Sequence, residues 1–527
     1  MFDIFERINK IFIGLLFRQI KSKISIVPKP LFYIKTIGKF KLVSKSRIIV
    51  AADGSEIQNE VKQNVAEYLA NILSVSTYSE TRKGEASGIG FNFEIVLINK
   101  DDLPAYISNN IILCINKSES YINEAYVINV DKNNINITAS YPAGLFRGVQ
   151  TLRQLFSEKI EKKNYVKKSK LKIDCCKIVD GPAYQYRGLM LDVARHFFNK
   201  EAVMRQIDHA ALYKINKLHL HLSDDQGWRI EIKSRPALTE IGSLGSAYGT
   251  NPGGFFTQED FIKIVEYAAK QYIEVIPEID MPGHMNAALA SIPELNPDGK
   301  LAKPRTDTKV GLSTLMCHSD ETFKFIEDVI KEIAAISPSK YFHIGGDEAD
   351  ITNLFEYSYF FERLIPIVKK YGKTTIGWRP YDCTDAVCGD AVVQNWFLIQ
   401  DGFYFIKNKK LKTILSPAAA YLDQKYNKDT RIGFKWRGLI SLEKSYDWYP
   451  SKISPETDIF GVESALWTET IVTEDDIDYM LYPRLLANAE AGWTAESLRD
   501  FSDFKNRLQK QFARLDILGV NYCKDYN

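Results

Sequence analysis

Asp347 and Glu348 are adjacent carboxylates in the stretch Tyr341-Phe-His-Ile-Gly-Gly-Asp-Glu-Ala349. The apolar run Tyr341 to Ile344 reads as a buried strand. Gly345 and Gly346 end it with backbone freedom that no other residue offers. Desolvation and mutual repulsion both oppose ionising two such neighbours, so the pair is costly unless chemistry uses it. The plain alternative is a helix N-terminus, where acidic residues suit the dipole. This stretch alone leaves the two readings level.

Other reactive side chains fall at similar places. Arg195 ends Leu189-Met-Leu-Asp-Val-Ala-Arg-His-Phe197. Its rigid fork can give two directed hydrogen bonds to a vicinal diol, or form an ordinary surface ion pair. His219 and His221 share one face of Leu218-His-Leu-His-Leu-Ser-Asp-Asp-Gln-Gly-Trp228. With His284 and His343 they are a candidate metal set, so a metal-dependent hydrolase is a competing reading. His284 closes Val275-Ile-Pro-Glu-Ile-Asp-Met-Pro-Gly-His284, where Pro277 and Pro282 stiffen the exit. Trp378, Trp396 and Trp467 end three apolar runs; one tryptophan is usually core, but three at such points invite another explanation. Tyr421, Asp423 and Glu469 add a hydroxyl and two acids nearby in the pattern.

Something must hold these groups together. From Tyr184 strand and helix patterns alternate for about 300 residues, the size of a (β/α)8 barrel. Strands are expected at 186–192, 217–222, 273–279, 341–345, 374–378, 392–396, 412–416 and 459–466. Helices are expected between them, at 200–213, 259–270, 321–335, 359–371 and 476–490. The candidate residues follow these strands, at the C-terminal mouth where barrels build their sites. Before the barrel, strands at 47–51, 93–98, 125–130 and 135–139 mix with helices at 60–73 and 144–155, and Asn133-Asn134 reads as a hairpin turn. The division expected is an extension over 1–27, a small α/β (α+β) domain over 28–180, the (β/α)8 catalytic barrel over 181–495, and a closing helix and tail over 496–527.

A chain of 527 residues, 45% hydrophobic and 25% charged, fits two or three soluble globular domains. Lys+Arg 68 against Asp+Glu 66 gives +2, so no nucleic acid or other polyanion partner is implied. The apolar run Ile11 to Phe17 is too short to span a bilayer and reads as a weak signal segment or a packing helix. Seven scattered cysteines contain no Cys-x-x-Cys, and only Cys383 and Cys388 lie close enough to test for pairing. Asn116-Lys-Ser118 and Asn136-Ile-Thr138 fit a glycosylation triplet.

The motifs from Tyr184 to Trp493 resemble, in order, those of the family-20 glycoside hydrolases, the β-N-acetylhexosaminidases, and the His-x-Gly-Gly-Asp-Glu of 343–348 resembles their signature. The resemblance implies an exo-acting enzyme that removes terminal β-linked GlcNAc, or GalNAc, with retention and without a cofactor or metal. Adjacent carboxyls suit a direct retaining mechanism badly, since that needs them about 5.5 Å apart across the scissile bond. They suit substrate assistance, in which the 2-acetamido oxygen attacks the anomeric carbon and an oxazolinium ion forms. The resemblance then gives Asp347 the acetamido N–H and Glu348 the acid/base role, with Asp224 and His284 as its supporting network. It gives Trp378, Trp396 and Trp467 the acetamido box, Tyr421 the acetamido oxygen, and Arg195, Asp423 and Glu469 the far hydroxyls. The implied partner is a glycan or glycoconjugate ending in β-N-acetylhexosamine, and export is favoured over the cytoplasm. One departure stands out: Trp378 is followed by Arg379-Pro380, where the family usually has an acid. A sugar-binding protein without catalysis is the reading that this change would support. Oligomeric state, natural linkage and GlcNAc against GalNAc stay open.

Overall fold

The computed structural model describes residues 24–77, 91–104, 106–117, 123–162, 171–250, 252–396, 409–455 and 457–526. The apolar run Ile11 to Phe17 lies outside these residues, as does Ser118 of the first glycosylation triplet.

A seven-stranded mixed sheet comes first. Its strands are β1 (Phe32–Lys41), β2 (Ile48–Ala51), β3 (Ile95–Ile98), β4 (Asn110–Ile115), β5 (Tyr126–Val130), β6 (Asn134–Ala139) and β7 (Lys172–Asp180), in the order β1-β7-β5-β6-β4-β2-β3. β5 and β6 form the expected hairpin, and Asp131 Oδ1 closes its turn by accepting the N–H groups of Asn133 and Asn134. The helix read at 60–73 is longer, running from Ser55 to Thr77 with one π-helical turn at Lys62–Ala66.

Eight parallel strands then close into a barrel: β8 (Tyr186–Asp192), β9 (Lys217–His221), β12 (Glu274–Glu278), β13 (Tyr341–His343), β14 (Thr374–Trp378), β15 (Val392–Asn395), β16 (Lys412–Leu415) and β17 (Asp458–Leu466). A two-stranded ribbon, β10 (Ser223–Asp224) and β11 (Gly227–Trp228), follows β9. The (β/α)8 expectation holds. The fourth strand stops two residues early, at His343, because Gly345 and Gly346 turn at φ 64 and 106. The helix read across 476–490 is two helices, Glu474–Leu481 and Arg484–Trp493, because Pro483 supplies no N–H to continue the first.

Inward-facing residues recur every second position. They fill the barrel in zones. Tyr186, Ile276, Ile376, Val392, Ile414 and Phe460 form an apolar plug. Two residues further along their strands come Glu278, Trp378 and Gln394, and Trp396 follows two beyond Gln394. Met190, Trp378, Trp396, Tyr421 and Ala465 cluster at the mouth with Trp467 against them.

The sheet and the barrel share a polar seam. Glu124 accepts from both Arg147 and Arg187, each at 2.7–2.8 Å. Burial would raise its carboxyl, but the two guanidiniums prevail and hold it at about 2. Arg147 also reaches the carbonyls of Gln271 and Tyr272 in the barrel. Residues 26–29 are threaded through the assembly: Val27 exchanges bonds with Gln154, Lys29 N–H donates to Glu490, and Ile26 O accepts from Arg507. The last helix, Phe501–Leu518, covers that junction. All seven cysteines are free thiols, Cys383 and Cys388 included. No helix among the described residues is long and apolar enough to cross a membrane.

Candidate active site

The turn after β13 is moulded around its glycines. A Cβ on Gly345 would stand 1.7 Å from Asp280 Oδ1, so only glycine fits. Gly346 N–H donates to Asp280 Oδ1 at 3.0 Å, Trp378 N–H donates to Gly345 O at 2.8 Å, and the Tyr357 hydroxyl donates to Gly346 O. The turn delivers Asp347 into the interior, 7% exposed, and leaves the Glu348 side chain 31% exposed. Glu348 takes φ 46, a left-handed conformation that a side chain of its size adopts only where packing enforces it. Neither carboxylate caps a helix: the next one starts at Leu354, capped by Asn353.

Behind Glu348 runs a relay. His284 Nε2 is 3.4 Å from Glu348 Oε2, and His284 Nδ1 is 3.1 Å from Asp224 Oδ1. Asp224 also takes Arg195 Nη2 at 2.7 Å and His221 Nε2 at 2.8 Å. Burial alone would raise Asp224; Arg195 and His284 overcome it and hold the carboxyl well below its ordinary range. Burial opposes the charge on His284, but Asp224 and Asp280 lift its affinity for a proton well above normal. Arg195 is not at an exposed rim. It is 4% exposed, bonds Asp192 and Asp224, and lies 4.8 Å over the Trp467 ring.

His219 and His221 both face carboxylates. His219 sits 2.9 Å from Glu278 and 3.0 Å from Glu463, and His221 bridges Glu278 to Asp224. His343 Nδ1 lies 2.9 Å from Glu278, and Trp378 Nε1 donates to Glu278 at 2.7 Å. Burial disfavours the His219 cation, yet Glu278 and Glu463 raise it to about 9. His219 Nδ1 and both His221 nitrogens join a buried hydrogen-bonded knot around Glu278 that orients Trp378, while His219 Nε2 and His343 Nε2 are buried without a hydrogen-bond partner in the protein. His219, Glu278 and His343 bring ligand atoms within 4.8 Å of one another, so the knot also has the donors of a metal site.

Above the knot, Trp378, Trp396, Tyr421 and Trp467 gather in one cluster. Trp378 and Trp467 ring centres are 5.8 Å apart, and Trp396 and Tyr421 are 6.4 Å apart. Trp396 Nε1 donates to Arg379 O at 2.8 Å, which fixes one wall. Asp423 and Glu469 complete the far end. Burial, then Glu469, pushes Asp423 up to about 8; burial pushes Glu469 up to about 7 against the pull of Arg195. Several buried polar atoms lack a hydrogen-bond partner within the protein: Asp347 Oδ1, Asp423 Oδ1, Glu469 Oε2 and Arg195 Nε. Native proteins rarely leave such atoms unpaired, and three acceptors with one donor around an aromatic box match a hydroxyl-rich ring.

Sequence reasoning missed four participants. Asp192 holds Arg195, and Glu278 anchors the histidine knot. Asp280 supports the catalytic turn; it lies four residues before His284, and its spacing from Glu278 was the available signal. Trp436, 51% exposed, stands edge-on to Tyr421 at 5.4 Å and Trp396 at 6.3 Å; nothing in its sequence neighbourhood marks it. Arg379 turns its Nε to Asp382 Oδ1 at 3.3 Å, so an acid does stand beside this wall, three residues further along.

A model of the family described as glycosyl hydrolase family 20, catalytic domain, matches residues 184–358 and 350–496, and that of its domain 2 matches 23–181. A β-N-acetylhexosaminidase of Cellulomonas fimi is 34% identical over 505 residues, covering 95% of this chain and 96% of the relative. The structure of a family-20 β-N-acetylhexosaminidase from Streptomyces coelicolor A3(2) superposes with a TM-score of 0.86 at 38% identity, over 96% of this chain and 98% of that one. A mutant β-hexosaminidase of Streptomyces plicatus, solved with its product GlcNAc, gives the same TM-score and identity over 96% and 97% of the two chains.

Proposed function

The chain belongs to glycosyl hydrolase family 20, and from that membership we propose how its residues divide the chemistry. The protein is an exo-acting β-N-acetylhexosaminidase. It hydrolyses terminal, non-reducing β-linked N-acetylglucosamine with retention, using the substrate's own acetamido group as nucleophile.

In this reading the aromatic box of Trp378, Trp396 and Trp467 excludes water and holds the acetamido arm in attack geometry. Tyr421 donates its hydroxyl to the acetamido oxygen, and Asp347 accepts the acetamido N–H. The oxygen bonds to the anomeric carbon as the glycosidic C–O bond breaks. Glu348 gives its proton to the departing oxygen. Asp347 balances the positive charge that spreads over the oxazolinium ring. Glu348, now a carboxylate, takes a proton from water, which opens the ring from the face the leaving group vacated. Retention follows from two inversions. His284, held between Asp224 and Glu348, supplies a fixed positive charge that favours the carboxylate Glu348 becomes on giving up its proton. Arg195, Asp423 and Glu469 measure the O3, O4 and O6 hydroxyls. Asp423 and Glu469 offer acceptors to either O4 epimer, which extends the substrate range to GalNAc. Residues 28–180 serve as a packing partner joined through the Glu124 seam.

The observation that carries this assignment is the turn that sets Asp347 dry against the box and Glu348 at its open side. The test is hydrolysis of aryl β-GlcNAc, β-GalNAc and β-glucoside side by side, with a thiazoline mimic of the oxazolinium ion as inhibitor. Cleavage of the two acetamido sugars only, blocked by the thiazoline, is expected. Cleavage of the glucoside at a comparable rate would remove the acetamido group from the mechanism. Thiazoline binding without any cleavage would favour a sugar-binding protein.

A further inference from the structure

Asp280 has no part in the chemistry above, yet it is built into the site. It leaves β12 two residues beyond Glu278 and is 1% exposed. Its Oδ1 accepts the Gly346 N–H at 3.0 Å, so the carboxyl is bound to the backbone of the turn that carries Asp347. Its Oδ2 is buried with no hydrogen-bond partner in the protein, and so is Asp347 Oδ1. Asp280, His284 and Asp347 place acceptor or donor atoms within 4.8 Å of one another. Two buried carboxylates this close repel strongly. One proton between them removes the repulsion. It also turns one orphaned acceptor into a donor for the other, directly or through a single water.

We infer that Asp280 and Asp347 share one proton, carried by Asp280, and that Asp280 is thereby the positioning residue that keeps Asp347 ionised and aimed at the acetamido N–H. The inference rests on the role given to Asp347 above. The groups facing Asp280 agree with the placement of the proton. Burial, Asp347 and Glu278 oppose its charge; His284 and His221 favour it; the balance holds the Asp280 carboxyl well above its ordinary range. Burial, Glu348 and Glu278 also raise Asp347, but His284 opposes them and its rise stops at about 6. Such a pair titrates in two steps that belong to both groups. The singly protonated form is the one fit for catalysis: it offers an anion to the oxazolinium charge without leaving a second anion buried beside it.

The test compares Asp280→Asn and Asp280→Leu with the wild type. An amide keeps both jobs, accepting from Gly346 N–H and donating to Asp347. Asp280→Asn should keep kcat on aryl β-GlcNAc within roughly tenfold at neutral pH, and its alkaline limb should move upward because an amide has no proton to lose. Asp280→Leu cannot donate; kcat should fall roughly 10²-fold, the size of a loss in positioning, with KM little changed. In difference infrared spectra at neutral pH, one protonated-carboxyl band of the wild type should vanish in Asp280→Asn. A wild type without that band, or a folded Asp280→Leu with kcat near normal, would overturn the inference. If Asp280→Leu does not fold, the band and the pH profile of Asp280→Asn decide. Thiazoline affinity in Asp347→Asn separates the two assignments: unchanged affinity would remove the role of Asp347 itself, whereas a loss of affinity with no Asp280 band would remove only the shared proton.

Discussion

Replacing Asp224 by Asn tests the relay behind Glu348 with almost no change of shape. Asp224 receives Arg195 at 2.7 Å, His221 at 2.8 Å, His284 at 3.1 Å and the Asp225 N–H at 2.6 Å. All three side-chain partners are donors. An amide oxygen can serve some of them, but the amide NH2 must then face another donor. Charge-assisted hydrogen bonds contribute about 1.5–3 kcal/mol each, and removing one member of a buried pair costs about 3–5 kcal/mol. Asp224 is 1% exposed, so solvent screening does not reduce these figures. The two histidines can shed their protons in response, which places the expected loss of stability near the lower end, about 3 kcal/mol. Asp224 is held well below its ordinary range in the folded protein. Its contribution is therefore complete above the unfolded value of about 3.9 and is lost only as pH falls through the lower folded value. Denaturant unfolding of both proteins at pH 7 and in strong acid should show the gap shrink in acid. The same change frees His284 to become neutral, so Glu348 loses the cation 3.4 Å away. A loss of about 1.5–3 kcal/mol in the acid step is roughly 10–10²-fold in kcat. It should grow as the leaving group becomes more basic, across a series of aryl β-GlcNAc substrates. Equal losses for every leaving group would refute the relay, as would unchanged stability at pH 7.

Three further outcomes follow from the site. Glu348→Gln should lower turnover about 10²–10⁴-fold, most for poor leaving groups, because general acid help matters most there; near-normal kcat on a basic leaving group would end that assignment. Asp347, raised to about 6 chiefly by burial, must be ionised to act, so kcat/KM should climb as pH rises through that value; a flat profile from pH 5 to 8 would contradict it. Extended dialysis against a chelator should leave activity unchanged if the knot of His219, Glu278 and His343 works through hydrogen bonds alone; loss of activity restored by a divalent ion would revive the metal reading.

Much of the site was legible because barrel geometry repeats a simple rule. A strand buried on both faces shows as an apolar run, and the polar residue after it must lie at the mouth. That rule placed His284, Asp347, Trp378 and Trp467 at strand ends, and the resemblance to family 20 added Asp224. The rule failed where a residue's placement depends on partners distant in the chain. Arg195 reads equally as a surface ion pair in the sequence, but Asp192 and Asp224 hold it buried. The helix over 476–490 looked continuous because its apolar spacing persists across Pro483, where the backbone cannot.

The sequence by itself determined the strand–helix alternation, the glycine turn and the identity of the groups at each strand end, because these depend on local sterics and on hydrophobic period. Only the tertiary structure decided how those groups are charged. Asp224, on β10, is an anion because Arg195, His221 and His284 converge on it from the loop after β8, from β9 and from the loop after β12. Asp280 and Asp347, 67 positions apart in the sequence, meet only when β12 and β13 lie side by side. A proton's affinity is set by burial and by neighbours within a few ångströms, and closing the barrel is what brings those neighbours together.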